Sequence, residues 1–146
     1  MRTILITLLM TLSTQVGAQI FDESFSFKGK NVYVFLQDSA VGGCWTNLRE
    51  VREYAEEKLR MKGAIIKNDG WDKNTFILKI AVTAGRNPND DRYCYGMTVV
   101  QVADMKYFEE PNRRLALVSE RARVILNSNV NRKVLDIISE ALAEFK

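Results

Sequence analysis

The two cysteines, Cys44 and Cys94, constrain the fold of this 146-residue chain more than any other feature. They are not arranged as a C-x-x-C motif, and the chain has no histidine with which they could share a metal. A single pair of thiols in an exported protein most simply forms one disulfide. We therefore predict a Cys44–Cys94 bond, which closes a loop of about 50 residues and stabilises the fold by roughly 4 kcal/mol on the chain-entropy model.

The N-terminal residues have the pattern of a cleavable export signal. Arg2 precedes a short apolar run over 4–12, and Val16, Gly17 and Ala18 offer small residues for cleavage. The run is too short to span a bilayer, which needs about 20 apolar positions. We expect residues 1–18 to be removed, a single domain over 19–146, no membrane span after cleavage, and a periplasmic or secreted location.

The size and charge of the mature chain are those of an ordinary globular domain. Removing 18 of the 146 residues leaves 128, which is enough for one hydrophobic core. Arg2 is the only charge lost, so 20 basic residues face 18 acidic ones, a net charge of +2. This near-neutral balance gives no indication of nucleic acid as a partner.

The absence of histidine excludes several classes of active site. A Ser-His-Asp triad, a Cys-His pair, a His-ligated zinc and a His-ligated haem all require an imidazole. Carboxylate, lysine or tyrosine chemistry remains open. No motif indicates a cofactor, and we expect none.

The clearest helix follows Cys44. Asn47 is expected to be its N-cap, with Glu50 reaching back three positions, and Gly63 is expected to end it. Apolar residues recur at spacings of three and four along this segment, which predicts one buried face. A second amphipathic helix is predicted from about Asn131 to the C-terminus.

The remaining segments indicate strands. The run over 31–37 predicts a central strand covered on both faces, 64–67 a short strand, and 75–84 with 93–103 a long hairpin around a loop at 85–92. Segment 115–126 fits a helix or a strand, and we favour a strand. The order β-α-β-β-β-(β)-α predicts an α+β class, a two-layer sandwich with a mostly antiparallel sheet and both helices on one face.

Four aromatic residues are the candidate binding residues: Trp45, Trp71, Tyr93 and Tyr95. Trp45 adjoins Cys44, and the disulfide would draw Tyr93 and Tyr95 to the same end of the domain. Such a cluster fits either core packing or an exposed binding patch, since Trp and Tyr are frequent anchors at interfaces.

The acidic residues give no comparable signal. The loop around Asp90 and Asp91 is rich in oxygen ligands, but Pro88 and Arg92 break the EF-hand pattern, so we expect no metal site. The pairs Glu56–Glu57 and Glu109–Glu110 are better interpreted as surface charge than as catalytic carboxylates. No catalytic residue is assigned.

Three functions fit these observations. The first is an exported, non-catalytic binding or accessory module with a protein partner in the envelope or outside the cell. The second is a hydrolase-type enzyme that uses carboxylate or lysine chemistry, which a pocket with converging ionisable groups would favour. The third is an inhibitor of a secreted hydrolase, which a protruding loop at 85–92 would favour.

Overall fold

The computed structural model describes residues 20–21, 24–70, 72, 74–106 and 114–145. The elements over these ranges are, in chain order, β1 (Ile20–Phe21), β2 (Asn31–Ala40), α1 (Leu48–Met61), β3 (Ile65–Ile66), β4 (Thr75–Asn87), β5 (Asp90–Lys106), β6 (Arg114–Asn127) and α2 (Asn131–Ala143). The predicted order of helices and strands is confirmed from β2 to α2, and segment 115–126 is a strand, whereas β1 was not predicted. The predicted signal and its cleavage site lie outside the described residues.

The strands form one mixed sheet in the order β1-β6-β5-β4-β2-β3. Strands β4, β5 and β6 form an antiparallel meander, and β1 pairs antiparallel with β6. Strand β2 instead runs parallel to both β4 and β3. Helix α1 lies between β2 and β4 in the chain, as a parallel connection requires. The α+β class and the mostly antiparallel sheet are therefore confirmed.

The core consists of alternate residues of the strands together with one face of each helix. In β4 the alternating buried residues include Leu78, Ile80, Val82 and Ala84, and their neighbours along the strand are more exposed. Helix α1 contacts β2 and β3, helix α2 contacts β5 and β6, and the two helices contact each other. Their fully buried residues include Val51, Leu59, Ile138 and Leu142.

Glycine ends α1 as the sequence predicts. Gly63 has a φ of 81°, which favours a residue without a Cβ atom. Its amide donates to the carbonyl of Arg60 at 2.9 Å, and the amide of Ala64 donates to that of Leu59 at 3.0 Å. These two bonds form a Schellman motif, which satisfies carbonyls at the end of the helix.

The start of α1 differs from the prediction. Asn47 is the N-cap residue of α1, as predicted, but its side chain makes no hydrogen bond to the helix backbone, so a capping box does not form. Its Nδ2 donates instead to Oε2 of Glu50 at 2.7 Å. The φ of −100° and ψ of 40° at Asn47 depart from the extended backbone that directs a capping oxygen towards the amides.

Two strand predictions also need correction. Strand β2 is not covered on both faces, because Phe35 is exposed while its neighbour Val34 is buried. The predicted loop at 85–92 is a tight turn at Pro88 and Asn89, since β4 continues to Asn87 and β5 begins at Asp90. The side-chain oxygen of Asn87 accepts from the amide of Asn89 at 2.9 Å and so closes the turn locally. Residues 85–92 therefore form the tip of the β4–β5 hairpin, with no long loop.

A cluster of phenylalanines closes the end of the domain opposite the disulfide. Phe25 lies 5.0 Å from Phe27, 4.9 Å from Phe76 and 5.6 Å from Phe145, measured between ring centroids. All three contacts are edge-to-face, the arrangement that aromatic quadrupoles favour. The packing ties the lead-in before β2 to β4 and to the residues that follow α2.

Candidate functional site

The predicted disulfide is present and organises one end of the domain. The Cα atoms of Cys44 and Cys94 lie 5.7 Å apart, and both residues are fully buried. The bond joins the loop before α1 to the beginning of β5. It therefore fixes the entrance of α1 against the sheet.

Hydrogen bonds hold the start of α2 beside the start of α1. The amide of Val130 donates to the carbonyl of Cys44 at 3.0 Å. The side chain of Asn131 accepts from the amide of Thr46 at 3.0 Å and donates to its hydroxyl oxygen at 2.9 Å. Both helix entrances are thus attached to the disulfide loop.

Arg86 binds three backbone segments at this end. Its Nε donates to the carbonyl of Gly42 at 2.8 Å, and its Nη1 donates to the carbonyls of Asp91 at 3.1 Å and Ser128 at 3.2 Å. A guanidinium suits this role because its five donors are held in a fixed planar fork. Arg86 therefore links the loop before α1, the beginning of β5 and the β6–α2 connection.

Three of the four predicted aromatic residues lie at this end, Trp45 in the core and Tyr93 and Tyr95 on the exposed face of β5. Trp45 is buried in the core with Cys44. Tyr93 and Tyr95 flank Cys94 in β5, so their side chains point to the opposite face from its sulfur. Both tyrosines are exposed. Trp71 lies outside the described residues.

Tyr95 belongs to a group of exposed apolar side chains on the face away from Cys94. The register pairs Tyr95 with Leu126 and Met97 with Val124, and residues directly opposite each other share a face. The exposed fractions are 52% for Tyr95, 44% for Met97, 86% for Val124 and 69% for Leu126. We call these four residues the β5–β6 patch. Phe35, on the same face of β2, is also exposed.

Three members of this patch were missed by sequence reasoning, although one signal was available. A disulfide between Cys94 and the loop before α1 requires Cys94 to face that helix. Strand alternation then places Tyr93, Tyr95, Met97 and Val99 on the other face. For Val124 and Leu126 no such signal exists, because the continuous run of Val124, Ile125 and Leu126 does not show which residue is buried.

An open groove of about 560 Å³ lies between β6 and α2. Its ionisable side chains are Arg123, Lys133, Asp136 and Glu140. Lys133 lies 3.8 Å from Asp136, and Arg123 lies 3.8 Å from Glu140, with all four side chains about half exposed. Each carboxylate thus has a cationic neighbour and access to water, which is typical of surface ion pairs.

Asp90, next to the β4–β5 turn, pairs with the neighbouring Arg92. The guanidinium of Arg92 donates to both carboxylate oxygens of Asp90, each at 2.8 Å. This hydrogen bonding to the charged form lowers the pKa of Asp90. Throughout the described ranges, no three His, Cys, Asp or Glu side chains converge as possible metal ligands. No described helix is long and apolar enough to cross a bilayer.

Comparison with known proteins shows similarity at the level of fold. No protein-family model and no curated protein matches the sequence. A PelC dodecamer from Paraburkholderia phytofirmans in space group P6 has a TM-score of 0.56, is 13% identical, and is matched over 88% of this chain and 96% of that chain. A variant of that dodecamer in space group C2 has a TM-score of 0.57 at 13% identity, over 86% and 94% of the two chains. A minor lipoprotein from Acinetobacter baumannii is 13% identical over 79% and 86%, and its TM-score of 0.36 is too low to support an argument.

Proposed function

We propose that this protein is an exported, non-catalytic accessory module that acts by binding another protein chain through the β5–β6 patch. The observation that carries the proposal is the patch itself. Tyr95, Met97, Val124 and Leu126 form two adjacent cross-strand pairs with most or about half of each residue exposed to water. Contiguous exposed apolar side chains typically mark interaction sites in folded proteins.

The composition of the patch suits protein binding better than small-molecule chemistry. Tyr and Met are enriched in the buried centres of interfaces, and aromatic anchors account for much of the binding energy there. Each apolar side chain of this size contributes about 1.5–3 kcal/mol when it is fully buried. On the side of β4, Thr83 pairs with Met97, so a polar side chain borders the patch there.

The proposal includes a two-layer arrangement with both helices on one face of the sheet. The contacts between the helices and their contacts with β2, β3, β5 and β6 support it. So does the alternation of buried and exposed residues along β4 and β5. In this arrangement the β5–β6 patch lies on the uncovered face and is available to a partner.

Export to an oxidising compartment is also part of the proposal. The Cys44–Cys94 bond supports it, because disulfides persist in the periplasm and outside cells and are rare in the cytosol. The predicted signal over 1–18 and cleavage after Ala18 are consistent with the same location. The PelC chains that share this fold form dodecamers. This similarity supports the proposal that the fold can present surfaces for protein–protein contacts.

Quantitative capture tests the proposal. The tagged protein is crosslinked in its native host and purified under denaturing conditions, in parallel with the variants Leu126→Lys and Met61→Lys. Met61 is a matched control, since it is 75% exposed and lies at the end of α1, away from the patch. We expect Leu126→Lys to reduce the crosslinked species at least about tenfold, the equivalent of 1.4 kcal/mol, and Met61→Lys to leave them unchanged.

Equal crosslinking of all three proteins would contradict the proposed function. A small molecule that raises the melting temperature of wild type and both variants equally would, together with that result, favour the enzyme alternative.

A further inference from the structure

Basic residues are concentrated at the end of the domain that the phenylalanine cluster closes. Residues 25–37 and 58–68 contain six basic residues and no acidic one, although the whole chain is nearly balanced, with 21 basic and 18 acidic residues. The structure brings these two segments together, since the amide of Gly29 donates to the carbonyl of Gly63 at 2.9 Å. The charge of the chain is therefore distributed unevenly, and one end is basic.

Contacts with the phenylalanine cluster show where these lysines lie. The ammonium group of Lys30 lies 5.7 Å from the ring centroid of Phe76. The ammonium group of Lys62 donates a hydrogen bond to the carbonyl of Phe145. Both phenylalanines pack against Phe25. The lysines therefore lie at the end opposite the disulfide, away from the β5–β6 patch.

Two open hollows lie between the lysines. The first has a volume of about 440 Å³ and is lined by Ser26, Lys28, Met61, Lys62 and Gly63. The second has a volume of about 300 Å³ and is lined by Lys58, Met61, Lys62, Ser139, Leu142 and Ala143. The hollows adjoin each other, because they share Met61 and Lys62. Among the described residues that line them there is no carboxylate.

The lysines at this end have no carboxylate partner in the described part of the chain. No ion pair there involves any of four lysines, Lys28, Lys30, Lys58 and Lys62. Arg60 differs from them, since it lies 2.9 Å from the carboxylate of Glu56. Glu57 is exposed one helical turn before Met61 and lines neither hollow. Four cationic side chains are therefore available to an anionic partner.

The helix dipole accounts for only part of this charge. Basic residues in the last turn stabilise a helix, which explains Lys58 and Arg60 in α1. Lys28 and Lys30 precede β2 and belong to no helix, and both are exposed. Their position beside the end of α1 adds positive charge that the helix does not require.

Two exposed apolar side chains lie among the lysines. Met61 is 75% exposed, and Ile65 is 52% exposed. Met61 lines both hollows, and the amide of Ile65 donates to the carbonyl of Lys30 at 2.8 Å. We give the name basic surface to six residues: Lys28, Lys30, Lys58, Met61, Lys62 and Ile65.

We propose that the basic surface docks onto a lipid bilayer whose headgroups are anionic. The lysine ammonium groups contact headgroup phosphates, while Met61 and Ile65 enter the boundary between the headgroups and the acyl chains. The apolar pair favours a bilayer over a soluble polyanion such as an acidic polysaccharide, which offers anionic groups but no apolar layer. This inference is independent of the proposed binding role of the β5–β6 patch.

The length of lysine suits this geometry. Its aliphatic stem can lie along apolar surface while the ammonium group stays among the phosphates. Each lysine near an anionic leaflet strengthens binding about fivefold. Four lysines and two apolar side chains therefore give reversible docking rather than permanent insertion. Docking at this end leaves the β5–β6 patch open to a protein partner.

Vesicle co-sedimentation tests the lysines. Protein purified from cells that express the full chain is mixed with vesicles of phosphatidylcholine, or of equimolar phosphatidylcholine and phosphatidylglycerol. We expect binding to the anionic vesicles only, and its loss at high salt. Lys28→Glu combined with Lys30→Glu should weaken binding at least about twentyfold. The matched control, Arg49→Glu with Arg132→Glu, changes the net charge equally at exposed residues of the disulfide end and should bind nearly as wild type.

A second pair of variants tests the apolar contact. Met61→Ser combined with Ile65→Ser keeps every charge and should weaken vesicle binding at least about tenfold. Leu126→Ser, the matched control at an exposed residue of the β5–β6 patch, should leave vesicle binding unchanged. Circular dichroism should show the wild-type fold for every variant, because all the substituted residues are exposed.

Absence of binding to anionic vesicles, or equal binding to both kinds of vesicle, would overturn the proposal. So would equal binding by the Lys28→Glu, Lys30→Glu variant and its control. Binding that depends on the lysines but not on Met61 and Ile65 would also overturn it, because that pattern identifies a soluble polyanion as the partner. The capture experiment with Leu126→Lys tests the proposed function separately from all of these outcomes.

Discussion

At the scale of single residues, the structure assigns distinct roles to two residues at the disulfide end, Arg86 and Gly96. Arg86 is an exposed residue whose side chain donates hydrogen bonds to three backbone carbonyls. Gly96 lies in β5, where Ala84 and Ile125 are its cross-strand neighbours. Neither residue belongs to a recognisable motif, so the sequence gives no signal for either role.

We expect Arg86→Ala to lower the free energy of unfolding by about 1–2 kcal/mol, because it removes the hydrogen bonds that join two loops to the beginning of β5. Arg86→Lys should restore little of this stability, since one ammonium cannot reproduce the planar fork of the guanidinium. Urea denaturation monitored by circular dichroism measures both. Arg49→Ala is the control, as Arg49 is 91% exposed and its ion pair with Glu53 contributes little. Equal stability of Arg86→Ala and Arg49→Ala would contradict the role of Arg86.

Gly96→Ala should destabilise the fold by about 1–3 kcal/mol through overpacking. A Cβ atom at Gly96 would lie 2.1 Å from the carbonyl oxygen of Thr83 and 2.6 Å from the Cα of Ala84, so the backbone must move. Gly85, in the neighbouring strand, is a matched control, because an added Cβ there meets only Val41 at 3.5 Å. Thermal unfolding should show a lower melting temperature for Gly96→Ala than for Gly85→Ala. Equal melting temperatures would show that β5 can move to accept the Cβ atom without loss of stability.

At the scale of elements, the disulfide positions the entrance of α1, and hydrogen bonds from Val130 and Asn131 extend this support to α2. Replacing both cysteines with alanine should cost about 2–5 kcal/mol. Amide exchange should increase most in residues 42–48 and near Asn131, and least in the phenylalanine cluster at the other end. Urea denaturation and hydrogen exchange of the double variant test this, and uniform loss of protection throughout the chain would argue against a local role.

The elements that the sequence predicts well are those with one strong pattern. Helix α1 has a clear apolar face and a glycine stop, and β4 alternates over most of its length. The parallel pairing of β2 with β4 could not be predicted, because strand direction leaves no trace in the pattern of β2. Segment 115–126 was ambiguous because Arg121, in a position that faces α2, interrupts the apolar pattern. The structure explains this residue, since Arg121 is largely buried and pairs with Glu140 and Glu144 beside α2.

The sequence also predicts only part of the candidate site. Tyr93 and Tyr95 are exposed near the disulfide, as expected for a binding surface, whereas Trp45 is buried in the core. Proximity to a disulfide indicates which end of the domain a residue occupies, but only the strand register shows its face. Val124 and Leu126 join Tyr95 and Met97 through the pairing of β5 with β6, a contact between segments about 30 residues apart in the chain.

At the scale of the whole molecule, the two ends and the two faces of the sheet have different roles. The disulfide and the phenylalanine cluster close the ends, and the helices contact the sheet through its buried side chains. The β5–β6 patch lies on the face of β5 and β6 away from Cys94, where its side chains are exposed. The central claim is that this patch is the binding surface of the protein.

Site-specific photo-crosslinking tests that claim most directly. A photoreactive amino acid is placed at Leu126, or at Met61 as the control, and the protein is irradiated in its native host before mass analysis of the adducts. We predict a discrete protein adduct from position 126 and none from position 61. Adducts from position 61 with none from position 126 would contradict the account.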